Sequence, residues 1–575
     1  MPQKRVLILM LTFLLIGSCL LVKIGYYQIA KGPEIAQKAT AMRSRQVELK
    51  EYSRGDILDQ NFLPLTGIKS TIAVYCLPRE MGRNNIMPNN NVPGSSEEAL
   101  TRAAQVLAEI IEEMDSQEIY TKLKQALKSG KSFVRIATDL KPEEADRINS
   151  SQLSGVVVAP VIKRYHEDGF LAHLLGYSSV GENSEGISGL EKLYNSILRG
   201  NTSSSELTSV LDARGIAIKG LMFKLRNEQE SHLGDVVLTI DKRVQEIVEK
   251  VMNDQIKTGA VVVMDVESKE VLAMASRPTF NPYEVDKIVD DGENSSLNNR
   301  VLMAYHPGSL FKILVAAAAL EEKLIDTEEK FTCTGEYAFK SSVAIPCWQE
   351  NGHGIIDFSQ AFALSCNPTF IEIGLRLRSD GLMNYANRLH LTDKRLLGYG
   401  DYNGGSFISI ENVDPAIGNA CLGQQGVMLT PLQICNLVAT IADDGQYGPP
   451  VLVRFTVDLE GRKKVISRPA KEQVLSLQTA QAVQMLMHKV VSEGTGKNAS
   501  LYQVGVAGKT ATSQTGNFDS DGAEILNTWF AGFFPTDNPR WAIVVLAEGG
   551  KSGAENAAPA FKEIACQMLD YYPIK

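Results

Sequence analysis

Seventeen consecutive residues near the N-terminus, Val6 to Val22, carry no charge. Hydrocarbon offers no partner for backbone N–H and C=O groups, so such a run can cross a membrane only as a helix. At 1.5 Å per residue it covers about 26 Å, slightly less than the ~30 Å hydrocarbon core. Apolar character resumes from Ile24 to Ala30 after Lys23, whose stem can snorkel toward the interface. Lys4 and Arg5 precede the run, which sets the N-terminus inside and the long remainder outside. A cleaved signal peptide and a lipoprotein signal compete with this reading, because Ile16-Gly17-Ser18-Cys19 loosely resembles a lipobox. Either would turn polar soon after the small residues, whereas Leu20-Leu21-Val22 follows. The expectation is a cytoplasmic tail at 1–5 and an uncleaved single-pass anchor at 6–30.

The rest of the 575 residues suffices for two to four domains at roughly 100–200 residues each. A net charge of -9 argues against a nucleic-acid partner. The eight cysteines form no C-x-x-C pair, the seven histidines no H-E-x-x-H, and there is no phosphate-cradling G-x-x-x-x-G-K-[ST]. Neither metal nor cofactor is therefore expected. Cys333 and Cys347 lie outside the membrane by the topology argument, close in sequence and flanked by polar turns. They could form a disulfide contributing about 3 kcal/mol, with two free thiols as the alternative.

Residues 31–235 read as a mixed segment without a catalytic constellation, a spacer and interaction module. Arg54-Gly55-Asp56-Ile57-Leu58-Asp59 reads as a short strand entering a turn, and Gly82 to Ser96 as a loop. Ser96 can cap a helix that turns Leu100, Ala103, Ala104, Leu107 and Ile110/Ile111 inward. Residues 236–575 differ. Strand patterns at 235–241, 260–265, 270–276, 451–458, 464–467, 504–513, 528–534 and 541–548 flank a helical middle, and a last helix covers about 557–571. The expected class is α/β of the α+β type. One antiparallel sheet gathers these distant strands, with helices on both sides and a helical subdomain.

Three short strings carry chemistry. Pro307-Gly308 mark a helix start, so Ser309 in Ser309-Leu310-Phe311-Lys312 has a backbone N–H without an intrahelical partner, free to bind an oxyanion. Lys312 follows one turn on, within reach of the hydroxyl. Apolar neighbours would desolvate its ammonium, and a neutral lysine can take the serine proton. Alone the string is weak, since S-x-x-K arises about twice by chance in such a chain. Ser365-Cys366-Asn367 offers a hydroxyl and an amide between helices. Ala507-Gly508-Lys509-Thr510-Ala511-Thr512 reads as a strand whose small residues let another chain approach.

In this order the three resemble the S-x-x-K, S-x-N and K-T-G set of penicillin-binding proteins and serine β-lactamases. Longer strings narrow the resemblance. Tyr305-His306-Pro307-Gly308-Ser309-Leu310-Phe311-Lys312 is similar to Y-x-P-G-S-x-x-K. Arg54-Gly55-x-Ile57-x-Asp59 and Gly189-Leu190-Glu191-Lys192 resemble motifs of the class B pedestal, and Gly423-Gln424 through Thr430-Pro431-Leu432-Gln433 resembles a stretch of the transpeptidase domain. The chain is thereby identified as a class B penicillin-binding protein: an anchor, an elongated pedestal or dimerisation-type domain at 31–235, and a β-lactamase-like transpeptidase domain at 236–575. The resemblance implies a peptidoglycan D,D-transpeptidase on the outer side of the bacterial plasma membrane. Its implied partners are stem peptides ending in D-Ala-D-Ala, β-lactams and a polytopic SEDS-type glycosyltransferase. Ser309 would be the nucleophile, Lys312 its base and Ser365 a proton shuttle. Asn367 would hold the donor amide, Lys509 would supply positive potential, and Thr510 and Thr512 would bind the terminal carboxylate. The N–H groups of Ser309 and Thr512 would form the oxyanion hole. Ala511, also lining the substrate strand, departs from the family's usual glycine. A β-lactamase, a D,D-carboxypeptidase or a catalytically weak scaffold subunit are the alternatives on this fold.

Overall fold

The computed structural model describes residues 2–573 apart from 33, 36, 37, 39–43, 53, 68, 82–95, 113, 132, 180–183, 200–203, 213–223, 227–232, 291–293, 341–342, 394–396, 398–404 and 519–521, and only the backbone of the strands at 44–52, 204–212 and 224–226. The loop expected at Gly82–Ser96 and the capping side chain of Ser96 lie outside the described residues.

The apolar N-terminal run forms the helix Pro2–Gly25, continued by a wider turn at Tyr26–Ala30. The stretch Lys4–Ala30 is long and apolar enough to cross a membrane, and it is not buried among the described residues. In the segment that follows, Ser96–Ile110 is the expected amphipathic helix, burying Leu100, Ala103, Ala104 and Leu107. It packs over a three-stranded sheet with Lys69–Cys76 at its centre, between Val134–Ala137 and Val156–Lys163.

The larger part is built on a five-stranded antiparallel sheet in the order Val271–Arg277, Gly259–Asp265, Trp541–Glu548, Glu524–Phe534, Ala507–Phe518. The central strands are apolar on both faces because helices cover both faces. Ala260, Val262 and Met264 join one core with the helix Pro431–Ala442, while Val261 and Val263 join the other with the helices Lys242–Gln255 and Ala558–Tyr571. This alternation follows from the two-residue side-chain period of a strand.

The expectation of one sheet needs correcting. Val453–Val457 and Lys463–Val465 do not join the five strands. They form a separate four-stranded sheet with Asp235–Leu238 and, in parallel, Ile57–Leu58. Strand patterning reports burial along a segment and carries no information about the partner, so a second sheet was invisible to it. The strand Asp235–Leu238 lies at the expected domain boundary and pairs with segments from both sides of it.

The two pedestal strings meet around one buried carboxylate. Glu191 is fully buried and ion-paired to Arg54 at 2.7 Å, accepts from Arg164, and accepts from Tyr165 Oη at 3.0 Å. Arg54 also donates to Asn195 Oδ1 at 2.8 Å. Asp59, the last residue of the first string, accepts from the backbone N–H groups of Asn61 and Leu63 at 2.8 Å and of Lys242 at 3.1 Å. Lys242 opens the first long helix of the larger part, so this carboxylate sits at a helix N-terminus, where the dipole favours it.

Candidate active site

Ser309 lies in the single 3-10 turn Gly308–Leu310 that leads into the helix Lys312–Glu321. This helix is buried on nearly all sides, in keeping with its run of aliphatic residues and alanines. The turn before it is shaped by a glycine pair. Gly308 has φ +55° and donates its N–H to Gly423 O at 2.9 Å. A Cβ on Gly423 would fall 2.0 Å from Gly308 O, so the glycine of the Gly423-Gln424 string is what allows the serine turn to seat.

Ser365 owes its position to a helix ending. The helix Phe358–Ala363 closes with Ser365 N–H donating to Phe362 O (3.1 Å) and Cys366 N–H to Ala361 O (2.9 Å). That is a Schellman ending, and Ser365 occupies its left-handed position at φ +56°, where glycine is usual. A non-glycine residue held in this region stores strain of about 1–3 kcal/mol, a cost that recurs at functional sites. Cys366 then serves as the start of the helix Asn367–Arg388, with Pro368 in its first turn.

The lysine of the first string reaches the second. Lys312, with no exposed surface, donates from Nζ to Ser365 O (2.8 Å), Asn367 Oδ1 (2.8 Å) and Ser365 Oγ (3.3 Å). Ser365 Oγ in turn donates to Ser309 Oγ at 3.0 Å. Among the described hydrogen bonds, Lys312 is linked to Ser309 through Ser365. Burial pushes the Lys312 ammonium down to about 8. Asn367 is fixed from its other side by Nδ2 donating to Pro346 O at 3.0 Å.

The third string lies on the edge strand Ala507–Phe518, whose outer side has no strand neighbour in the sheet. Lys509, Ala511 and Ser513 are buried on one face, and Thr512 is exposed on the other. Ser513 Oγ donates to His306 O at 2.7 Å, and a Cβ built on Gly308 would come 3.2 Å from Thr512 O, so strand and serine turn are in direct apposition. Lys509 is fully buried with Nζ donating to Thr510 O at 3.2 Å. Burial first, and the charge of Lys312 second, push its ammonium well below the usual lysine range. Thr510 is less open than expected, because its hydroxyl shares a 2.6 Å hydrogen bond with that of Thr495. Thr495 was absent from the sequence reading. It lies in a loop after the helix Leu477–Ser492, and no spacing rule links it to the strand.

The methyl of Ala511 points into the core, as strand alternation with Lys509 requires. It faces the backbone of the serine turn, where a Cβ on Gly308 would be 3.4 Å from it. The glycine at 308 therefore leaves room for the methyl at 511. Cys333 and Cys347 are both free thiols in this structure, the alternative to the disulfide.

Known proteins are similar to this chain in sequence and in fold. The family described as penicillin binding protein transpeptidase domain matches residues 259–565, and the penicillin-binding protein dimerisation domain matches residues 50–221. Stage V sporulation protein D of Bacillus subtilis is 29% identical over 596 residues, spanning 100% of this chain and 86% of that protein. The peptidoglycan D,D-transpeptidase FtsI of Escherichia coli K12 is 26% identical over 584 residues, spanning 97% of this chain and 90% of that protein. Among solved structures, the D,D-transpeptidase domain of a peptidoglycan glycosyltransferase from Eggerthella lenta shares the fold. It has a TM-score of 0.59 and 24% identity, over 72% of this chain and 94% of that one.

Proposed function

The chain belongs to the penicillin-binding protein transpeptidases, and from that premise we propose that it cross-links peptidoglycan stem peptides through an acyl-enzyme on Ser309. The observation that carries this reading is the unbroken hydrogen-bonded path from Ser309 Oγ through Ser365 Oγ to the buried Lys312 Nζ. Ser309 Oγ attacks the carbonyl between the two D-Ala residues of a stem peptide. Its proton passes to neutral Lys312, directly or through Ser365, and returns through Ser365 to the departing D-Ala amine. The N–H groups of Ser309 and Thr512 hold the oxyanion, a contribution of ~3 kcal/mol per donor. Asn367 holds the donor amide, while the free edge of the Lys509 strand pairs with the extended peptide. The terminal carboxylate lies at Thr510 and Thr512, where it favours the charged form of Lys509. An amine of a second stem then attacks the acyl-enzyme, forming the cross-link and freeing Ser309. β-Lactams enter the same path and stop at the acyl stage. Incubating the full chain with lipid-linked or polymeric peptidoglycan precursor and measuring penicillin-sensitive cross-links tests the reading. A protein that labels with penicillin yet never cross-links any acceptor would overturn it in favour of a carboxypeptidase or scaffold.

The same reading divides the chain into a tail at 1–5, an anchor at 6–30, a pedestal at 31–235 and a transpeptidase domain at 236–575. The catalytic part lies outside the plasma membrane, supported by Lys4 and Arg5 ahead of the apolar helix. The natural partner at that position is a polytopic glycosyltransferase of the SEDS type that supplies the glycan strand.

Two outcomes follow from the geometry. Lys312 accepts a proton only when neutral, so the second-order rate of fluorescent-penicillin acylation falls as pH drops through about 8. Well below that value it falls about tenfold per pH unit, and it levels off above. A rate flat from pH 6 to 9 would remove Lys312 as the base. The second outcome concerns Ala511. Its methyl packs against Gly308 rather than toward the peptide, so Ala511→Gly changes the acylation rate by less than about tenfold, or 1.4 kcal/mol. Time courses of labelling on both proteins, each shown to be folded by circular dichroism, measure this. An inert wild type rescued by Ala511→Gly would reassign the natural protein as a scaffold.

A further inference from the structure

Beside the second catalytic string lies a group of side chains that the acyl-transfer path does not use. Cys333 ends a strand, while Cys347, His353 and Cys366 lie in three connecting segments, and the ligand atoms of the four all lie within 4.8 Å of one another. The three thiols are buried and form a cluster of their own with Ile356 and Ala361, apart from the main core. A cluster of three thiols alone is explained by small apolar side chains filling space. The imidazole is not. His353 Nδ1 lies 3.6 Å from Cys347 Sγ, and its buried Nε2 has no hydrogen-bond partner among the described residues. An apolar pocket does not draw in a ring nitrogen without satisfying it.

The backbone around the four is built tightly. Cys333 ends the strand Lys330–Cys333 and pairs with Gly354 of the strand Gly354–Asp357, which sets His353 next to it. Cys347 N–H donates to Gly335 O at 2.7 Å. A Cβ on Gly352 would fall 2.2 Å from Cys333 O, and one on Gly335 2.1 Å from Glu350 O, so both glycines are needed for the chain to fold this closely. Cys366 is fixed by the Schellman ending described above.

We propose that Cys333, Cys347, His353 and Cys366 bind one zinc ion in a closed structural site that holds the Ser365–Asn367 turn in place. A tetrahedral zinc with Zn–S near 2.3 Å and Zn–N near 2.0 Å sets its donor atoms about 3.5–3.8 Å apart, a contraction of about an ångström or less from the spacing here. Three soft sulfurs and one imidazole suit zinc, and four protein ligands leave no open position for catalysis. Binding converts each thiol to a thiolate and releases its proton to solvent. Two links carry the effect to the active site. Cys366 stands between Ser365 and Asn367, and Asn367 Nδ2 is held by the carbonyl of Pro346, the residue before Cys347. Trp348 adds a third, its ring packed edge-on to His353 and its Nε1 donating to Leu364 O at 2.8 Å. The lack of C-x-x-C and H-E-x-x-H speaks only for ligands close in sequence, whereas these four are brought together by the fold.

The test uses the full chain, purified in detergent under reducing conditions without chelator, and reads zinc by elemental mass spectrometry. About one zinc per chain is expected in the wild type and in Cys421→Ser, which removes a buried thiol outside the cluster. His353→Ala and Cys333→Ser lose it, with binding weakened by at least ~10–100-fold, the loss that removal of even an outer-shell partner brings. Cobalt added to stripped protein gives thiolate-to-metal absorption typical of a tetrahedral site, absent in those two variants. Stripping zinc slows penicillin acylation, and added Zn2+ restores it. The metal readouts stand independently of the transpeptidase reading, which labelling of Ser309 tests by itself. The proposal is overturned by a wild type that neither holds zinc nor takes up Zn2+ or Co2+. Zinc unchanged in both ligand variants, or a disulfide mapped between two of the three cysteines in freshly isolated protein, overturns it equally.

Discussion

Ser309→Ala abolishes covalent labelling by fluorescent penicillin while the protein stays folded. No other described hydroxyl stands in Ser309's position, at the head of a buried helix and linked through a second serine to a lysine held near neutrality. Without Oγ no acyl bond can form, and loss of a nucleophile in serine enzymes removes on the order of 10⁶ in rate. The structural cost is small. Ser309 is half-buried, and the substitution forfeits one hydrogen bond from Ser365, worth about 1 kcal/mol. Gel fluorescence and a thermal melt on the same preparation measure both effects. Labelling that persists at another residue would mean the nucleophile has been misassigned. Lys312→Ala complements the test, because it leaves the nucleophile but removes the only described cation bonded to Ser365 and Asn367.

Glu191→Gln destabilises the protein by ~3–5 kcal/mol, the cost of breaking a buried ion pair by removing one partner. Glu191 has no exposed surface, and its carboxylate lies between the Arg54 and Arg164 guanidinium groups. Neutralising it leaves two cations facing each other in a site nearly closed to water. Burial already holds the Arg54 guanidinium below its usual range despite Glu191. An exposed pair offers the contrast. Lys124 and Glu97 are 2.7 Å apart with side chains 40% and 63% exposed, and Glu97→Gln falls within ±0.5 kcal/mol. Thermal melts of the two variants against wild type make the comparison, and limited proteolysis of the segment around 54–195 reads local opening. Equal, small effects in both would show that the pedestal strings serve recognition rather than stability. Gly55 adds to the same network, its N–H donating to Leu198 O at 2.8 Å and its carbonyl accepting from Arg164 at 2.8 Å.

The two variants probe different levels of the same molecule, and the sequence was informative at each to a different depth. Ser309 and Lys312 stood out because proline, glycine and an aliphatic run announce a helix start. Arg54 and Glu191 stood out only by resemblance, since nothing in their neighbourhoods indicates that residues 137 apart share one ion pair. Gly423 as the seat of the serine turn and Asp59 as an acceptor for the Lys242 N–H at a helix start act across long separations, and Thr495 reaches Thr510 from a neighbouring loop; each needed the fold.

By itself the sequence determined what depends on neighbours along the chain. The apolar run before Val22 has to be a helix. The hairpin at 260–276 follows from its two short strand runs and the Val266–Lys269 turn between them. The amphipathic helix at 96–110 follows from its apolar stripe, and the order of the three short strings identifies the family. Tertiary structure alone decided which strands share a sheet, and it divided the expected single sheet into two. It also routed Lys312 to Ser309 through Ser365 and set Ser365 in the left-handed position of a helix ending. Finally, it gathered three thiols and an imidazole from four segments beside that serine. The physical reason is the same throughout. Periodicity and capping record the local free energy of a segment, summed over a few residues. Partners brought together across a hundred residues or more are selected by the packing of whole elements, in which no single residue's type carries the choice.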